Sequence, residues 1–210
     1  KNTCVRVRYA GQYHVDLPIY GEKTGEYLLA EKGEKGWHPS DPLALTTWFL
    51  SGVKLYGEQL RRIVRLLKAW ADFQSGRRGK MPSGLILTVL AVQHFRRDDA
   101  DDVCFSETAH AIAGAVSPIF RVINPVDETE ELTGRLSEIQ KARFQEAVSE
   151  LSSIAEQTID MEEAEQASKL WRNQFGDRFP AIEKVFSRED FRQAVAASAA
   201  MYIGKQPPRP

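Results

Sequence analysis

The chain has 210 residues, of which 42% are hydrophobic and 27% are charged, and its formal net charge is −1 at pH 7. This is the composition of an ordinary globular protein, with enough apolar residues for one sizeable core or two small ones. General binding to nucleic acid backbones requires a basic surface, so we expect no constitutive nucleic-acid partner. No apolar run has the length of a membrane span, so we expect no membrane partner either.

The two cysteines, Cys4 and Cys104, are far apart and lack the CxxC spacing of a zinc site. We interpret them as reduced thiols of a cytoplasmic protein. The sequence begins without Met and already inside a strand-like run. We therefore expect that further sequence precedes it and that these residues are the C-terminal portion of a longer protein.

The first part of the chain is predicted to be rich in β-strands. Residues 3–9 and 13–20 are two β-prone runs separated by a short turn, which predicts a β-hairpin. Residues 26–31 predict a third strand. The loop that follows is rich in Gly and Pro and marks a domain boundary after residue 36.

Asp16 is the one carboxylate in the apolar second strand of this hairpin. An aspartate in such a run is costly to desolvate unless an arginine, a set of backbone donors or a metal ion neutralises it. The alternative is an edge-strand aspartate that points at water. This run alone favours a metal ligand and a solvated aspartate about equally.

From residue 40 onwards the chain is predicted to be helical. Ser83, Ser106 and Asp160 are predicted to cap three of the helices, and the acidic residues between 98 and 102 are interpreted as a solvated loop. Residues 119–122 are predicted to be extended, and Asn124 with the following Pro125 is predicted to break this run. The periodicity of apolar residues predicts helices over residues 42–50, 55–73, 84–95, 106–116, 136–157, 161–175 and 188–202.

Three cations, Arg61, Arg65 and Lys68, share one face of the helix predicted over residues 55–73. A solvated helix face is the commoner explanation of such a pattern. The alternative is an anion site, because Ser83 opens the next helix and a helix N-terminus offers free N–H groups and a partial positive charge. If the two helices are antiparallel neighbours, Lys68 and Ser83 can approach the same phosphate.

Several short motifs, taken together, resemble the bacterial cGAS/DncV-like nucleotidyltransferases, or CD-NTases, which are related to the oligoadenylate synthases and to cyclic GMP-AMP synthase. The order and spacing of these motifs carry the resemblance, which covers most of residues 3–180. They are Tyr-His-Val-Asp-Leu-Pro-Ile-Tyr at 13–20, Trp-His-Pro-Ser-Asp-Pro at 37–42, the helical run at 62–70, Lys-Met-Pro-Ser at 80–83, and two later segments at 124–128 and 167–180.

The resemblance implies an enzyme that joins ribonucleoside triphosphates, ATP among them, into a cyclic oligonucleotide and releases pyrophosphate, in the antiphage systems called CBASS. It implies two Mg²⁺ ions, or Mn²⁺ in their place, held by three carboxylates. Asp16 matches the third carboxylate, and Lys68 and Ser83 match positions that grip the donor triphosphate. Arg65 is a further candidate for phosphate contact, and CBASS regulatory proteins are candidate partners.

The family's first two carboxylates and its Gly-Ser loop have no counterpart in this sequence. We therefore expect these 210 residues alone to be inactive as a synthase. The fold implied is α+β, with edge strands of a nucleotidyltransferase sheet in residues 1–36, a helical domain in residues 37–203 and a flexible tail in residues 204–210.

Two other functions remain open from the sequence. One is a template-independent nucleotidyltransferase that acts on RNA or on a protein. The other is a non-catalytic helical module that binds a nucleotide or a partner protein. Trp37, in the loop before the helices, is a candidate for stacking on a base.

Overall fold

The computed structural model describes residues 3–10, 13–34, 36–182 and 192–193, and it divides between Trp48 and Phe49 into two compact units. The predicted domain boundary after residue 36 is earlier than this division and stays a prediction. The fold is α+β, as predicted, with small antiparallel sheets and a mostly helical second unit.

The predicted hairpin is confirmed in the first unit, where β1 (Cys4–Arg8) pairs antiparallel with β2 (His14–Pro18). Because side chains alternate between the faces of a strand, Arg6 and Asp16 lie opposite each other on one face. The other face is apolar and exposed, and it carries Val5, Val7, Val15 and Leu17, with Tyr9 stacked on Tyr13.

The rest of the first unit's strands form a separate sheet in the order β3 (Tyr20–Lys23), β4 (Glu26–Glu31) and β5 (Gly36–Pro39). The strand predicted over residues 13–20 therefore ends at Pro18, and β3 begins a new sheet. The sequence missed β5 because its Gly and Pro indicated a loop. Its Trp37 ring packs on the bare backbone of Gly21, where an added Cβ would lie 3.3 Å from the ring.

Within residues 36–182 six helices follow, and α1 (Ala44–Tyr56) runs from the first unit into the second. The others belong to the second unit, together with a short hairpin of β6 (Ile123–Asn124) and β7 (Asp127–Glu131). Their bounds are α2 (Glu58–Arg78), α3 (Gly84–Gln93), α4 (Asp101–Val116), α5 (Glu138–Ile159) and α6 (Ala164–Phe175), with 3₁₀ turns at Leu132–Arg135 and Gly176–Arg178.

Glycines with positive φ set the ends of α2. Gly57, at φ 83°, separates it from α1, so the helix predicted over residues 42–50 continues to Tyr56. The end predicted at residue 73 is too early, because the helix continues to Arg78 and is capped by Gly79, at φ 90°. Near this end of α2, the buried Gln74 connects the helix to α6: its side-chain amide donates to the backbone oxygen of Gln174 at 3.1 Å.

Two predicted helix starts in the second unit are wrong. Helix α4 begins at Asp101 rather than after Ser106, which is buried inside the helix, because acidic residues in the first turn favour a helix N-terminus. Asp160 follows the end of α5 and does not cap α6. The break predicted at Asn124 is confirmed, because β6 ends at Asn124 and the chain turns before β7 begins at Asp127.

The apolar stripes that predicted α2 and α5 form the core of the second unit. Trp70 is fully buried against Phe144, with ring centroids 6.1 Å apart, and its indole N–H donates to the Gln174 side-chain oxygen at 3.0 Å. Helix α3 is buried on most sides, as its uniformly apolar sequence requires.

The helix predicted over residues 188–202 and the tail at 204–210 lie outside the described residues, apart from residues 192–193, which are helical. Over the part of the chain that the structure describes, none of the helices combines the length and apolar character needed to cross a bilayer.

Candidate functional site

The N-terminus of α3 follows directly on the loop that leaves α2. Ser83 is the N-cap of α3, and its hydroxyl oxygen accepts a hydrogen bond from the backbone N–H of Ile86 at 3.4 Å. This confirms the predicted cap. The first N–H groups of a helix have no partner inside it, so the start of α3 presents donors and a partial positive charge.

Lys68 of α2 lies against this helix start. A Cβ built on Gly84 would be 3.3 Å from the Lys68 Cε and 3.8 Å from its Nζ. The structure therefore brings Lys68 next to the residue that follows Ser83, as the sequence predicted for an antiparallel pair. Lys68, Ser83, Gly84 and Arg65 together are called the α2–α3 site below.

The ammonium of Lys68 makes no hydrogen bond or ion pair with any residue that the structure describes. The side chain remains solvent-exposed as a whole, but the protein around it removes enough water to lower the pKa of the ammonium from its ordinary value. An anion at this position would restore the favourable surroundings that the charge has lost.

The three cations predicted on one face of α2 differ in their surroundings. Arg61 is paired with Glu58 at 3.0 Å, and its guanidinium lies 5.7 Å from the centre of the Phe49 ring. Arg65 is exposed and has no ion pair within the described ranges of the chain. Arg65 and Lys68 are one helical turn apart, so they are the two cations of this face that an anion could use.

Asp101 is not in a solvated loop, which corrects the interpretation of residues 98–102. Its carboxylate accepts hydrogen bonds from Arg62 Nη2 at 2.9 Å and from Gln59 Nε2 at 3.0 Å. Burial raises the pKa of this carboxyl, and the hydrogen bonds from Arg62 and Gln59 outweigh that effect, so the pKa is lowered overall. The pair joins α2 to the start of α4. One signal in the sequence could have indicated this pair, an acidic residue at a helix start.

Asp16 lies on β2 as predicted, in the other compact unit, and Arg6 neutralises it. Arg6 Nε donates to Oδ1 at 2.7 Å and Arg6 Nη2 donates to Oδ2 at 3.0 Å. The hydrogen bond to Asp16 raises the pKa of the Arg6 guanidinium. The sequence allowed an arginine, backbone donors or a metal ion as the group that neutralises Asp16, and the structure shows an arginine.

A divalent cation site needs several oxygen ligands in one place. Among the residues that the structure describes, no group of three or more His, Cys, Asp or Glu side chains could hold a metal ion. Both oxygens of Asp16 are also bonded to Arg6. The described residues by themselves therefore do not fit a Mg²⁺ or Mn²⁺ site.

Trp37 is 56% exposed, with Gly21 beneath its ring. An exposed aromatic ring supported by backbone is physically suited to stacking. Its predicted role in binding a base stays a prediction.

Two comparisons by sequence relate the chain to known proteins. A family model described as cyclic GMP-AMP synthase, C-terminal domain, matches residues 57–188. A cyclic GMP-AMP synthase of Escherichia albertii is 32% identical over 133 residues, which are 61% of this chain and 29% of that protein. A cyclic AMP-AMP-AMP synthase of an Acinetobacter strain is 24% identical over 192 residues, which are 87% of this chain and 56% of that protein.

Solved structures show the same relationship. The crystal structure of Vibrio cholerae DncV in its 3′-deoxy ATP bound form superposes with a TM-score of 0.70 at 25% identity, covering 86% of this chain and 50% of that one. The chain thus spans about half, or less, of the length of the relatives that it matches. The match over residues 57–188 includes the whole of α2 and α3, and the chain belongs to the bacterial cGAS/DncV-like nucleotidyltransferase family.

Proposed function

We propose that this chain is part of a cyclic oligonucleotide synthase, an enzyme that joins nucleoside triphosphates and releases pyrophosphate. Family membership supports this proposal, as do relatives whose names are cyclic GMP-AMP synthase and cyclic AMP-AMP-AMP synthase. We further propose that the enzyme acts in CBASS antiphage signalling and that CBASS regulatory proteins are its partners. The names of these two relatives state different products, so mass spectrometry of the product made by the complete enzyme would identify its bases and its ring size.

The proposed role of the α2–α3 site is to hold the triphosphate of the donor nucleotide. The observation that carries this role is the position of the Lys68 ammonium beside the first residue of α3. A triphosphate is a multiply charged anion, and here it would meet an ammonium and helix N–H donors together. Arg65, one turn earlier on the same face, would add a second cation that is not paired within the described chain.

Asp16 is proposed as one carboxylate of a Mg²⁺ site, with Mn²⁺ as a substitute, in the complete enzyme. That role would require the carboxylate to exchange Arg6 for the metal ion. Since the described residues hold no cluster of metal ligands, we expect these 210 residues alone to make no cyclic product. Incubation with all four nucleoside triphosphates and Mg²⁺ or Mn²⁺, followed by mass spectrometry, tests this expectation, and a cyclic product would contradict it.

Calorimetric titration of the chain with ATP tests the triphosphate site. Lys68→Ala should weaken binding roughly tenfold to a hundredfold, as expected for the loss of a charge-assisted hydrogen bond worth ~1.5–3 kcal/mol. Lys169→Ala is the matched control, because this exposed lysine is paired with Glu165 within α6. Unchanged ATP affinity of Lys68→Ala would remove this lysine from the proposed site.

A further inference from the structure

Gly84 is the first residue of α3, and its backbone conformation does not require glycine. Its φ lies outside the left-handed region, unlike those of Gly57 and Gly79 on either side of α2. Glycine is also a poor helix former compared with alanine. Backbone conformation therefore does not explain the absence of a side chain at residue 84.

The space beside Gly84 is occupied by Lys68. The three heavy atoms nearest to a built Cβ all belong to this lysine: Cε at 3.3 Å, Cδ at 3.7 Å and Nζ at 3.8 Å. Of the other helical glycines, Gly76 and Gly114 have nothing within 4 Å of a built Cβ, and Gly52 has the apolar side chains of Leu60 and Val92 at 3.4 Å. Contact with the charged end of a lysine at a helix start thus distinguishes Gly84 from the other three.

We propose that Gly84 is a positioning residue for the triphosphate: its missing side chain lets the Lys68 stem cross the start of α3, so that one phosphate can contact the ammonium and the helix N–H groups together. This inference rests on the function proposed above for the α2–α3 site. A methyl group at residue 84 displaces the flexible end of Lys68 by a few tenths of an ångström, which moves the ammonium relative to the helix N–H groups and weakens their joint contact with one phosphate.

The effects of Gly84→Ala on thermal stability and on anion binding distinguish a positioning role of Gly84 from a role in packing. Alanine favours the helix and reduces the freedom of the unfolded chain, and the side chain that it displaces is flexible at its far end. Gly84→Ala is therefore expected to keep or raise the melting temperature while it weakens anion binding. A residue that only supports packing would lower both.

The experiment is a calorimetric titration of the chain with inorganic tripolyphosphate and, separately, with ATP. Gly84→Ala should weaken both roughly threefold to tenfold, which is less than the complete loss of a charge-assisted hydrogen bond. Gly114→Ala is the control, because it makes the same substitution inside an exposed part of α4 where no neighbour is displaced. Its affinity should equal that of the unsubstituted chain.

A double-mutant cycle shows whether Gly84 acts through Lys68. In the Lys68→Ala background, the substitution Gly84→Ala should change affinity no further, because the side chain that it displaces is gone. A further loss in that background would overturn the inference, since Gly84 would then act by another route. A lower melting temperature for Gly84→Ala would also overturn it.

The remaining outcomes separate the two proposals. If Lys68→Ala weakens binding and Gly84→Ala binds like the unsubstituted chain, the positioning role is wrong and the triphosphate site stands. If Lys68→Ala binds like the unsubstituted chain, the triphosphate role of Lys68 is wrong and the positioning role falls with it. A chain that binds neither ATP nor tripolyphosphate would overturn both.

Discussion

Arg6 holds both carboxylate oxygens of Asp16 across the β1–β2 hairpin, at 2.7 Å and 3.0 Å. The pairing follows from the register, which places the two residues directly opposite each other. Any cation that binds Asp16 must therefore compete with a guanidinium held in a fork geometry that suits a carboxylate.

Arg6→Gln is expected to tighten Mn²⁺ binding to the chain by a modest, severalfold factor, because it frees the Asp16 carboxylate. Water-proton relaxation measures this binding directly. Arg8→Gln is the matched control, since it removes the same charge from the same strand and leaves Arg6 on Asp16. If the two variants bind Mn²⁺ equally, the ion pair does not limit access to Asp16 and only net charge matters.

The Arg62–Asp101 pair should make stability depend on pH in the acid range. Since the folded-state pKa of Asp101 is lowered, its contribution is fully present above the ordinary carboxyl pKa of 3.8 and is lost as pH falls through the lowered value. Asp101→Asn should therefore cost about 1–2 kcal/mol at pH 7, given that Arg62 is partly exposed. The difference from the unsubstituted chain should shrink below pH 4.

Urea unfolding at several pH values measures this difference in free energy of unfolding. Asp99→Asn is the control, because this exposed aspartate comes just before α4 and has no ion pair within the described stretches of the chain. A pH dependence of the same size in both variants would assign the effect to the general charge of the loop.

Nucleotide binding should be linked to proton uptake by Lys68. Partial desolvation lowers the pKa of this ammonium, and a bound phosphate would raise it again. ATP binding should therefore take up protons at alkaline pH. The affinity for ATP should fall as pH rises towards the ordinary lysine pKa of 10.5. Calorimetry at pH 9 in two buffers of different ionisation heat measures the uptake. Persistence of the full uptake in Lys68→Ala would assign it to another group.

Gly176 allows the end of α6 to pack against α2. Its φ is 66°, and a built Cβ would overlap Cε2 of the Phe73 ring. Gly176→Ala should therefore destabilise the chain by backbone strain of about 1–3 kcal/mol and, in addition, by the overlap with Phe73.

Gly57→Ala isolates the strain, because Gly57 also has a positive φ of 83° but has nothing within 4 Å of a built Cβ. Thermal or urea unfolding of both variants gives the comparison. Equal losses for the two substitutions would show that Phe73 moves aside without cost.

Several elements were predictable because their signals are local. Apolar residues at helical spacing predicted α2, and its stripe from Leu60 to Trp70 is buried. Ser83 was identified as a cap, and its hydroxyl does accept from Ile86. The strand β5 was missed because its Gly and Pro indicated a loop, and its pairing with β4 involves residues distant in sequence. The true start of α4 was missed because its acidic residues were interpreted as a solvated loop, and the contact of Asp101 with Arg62 forms only in the fold.

The sequence by itself determined the helical second unit, the hairpin that carries Asp16 and the pairing of a lysine with a helix start, since these depend on periodicity, alternation and chain order. Only the tertiary structure decided which charged side chains form ion pairs with one another. In the fold, Asp16 pairs with Arg6 and Asp101 pairs with Arg62, whereas Lys68 has no ion pair among the described residues. The physical reason is that the energy of a charge depends on its neighbours and its hydration, which a sequence does not contain until it folds.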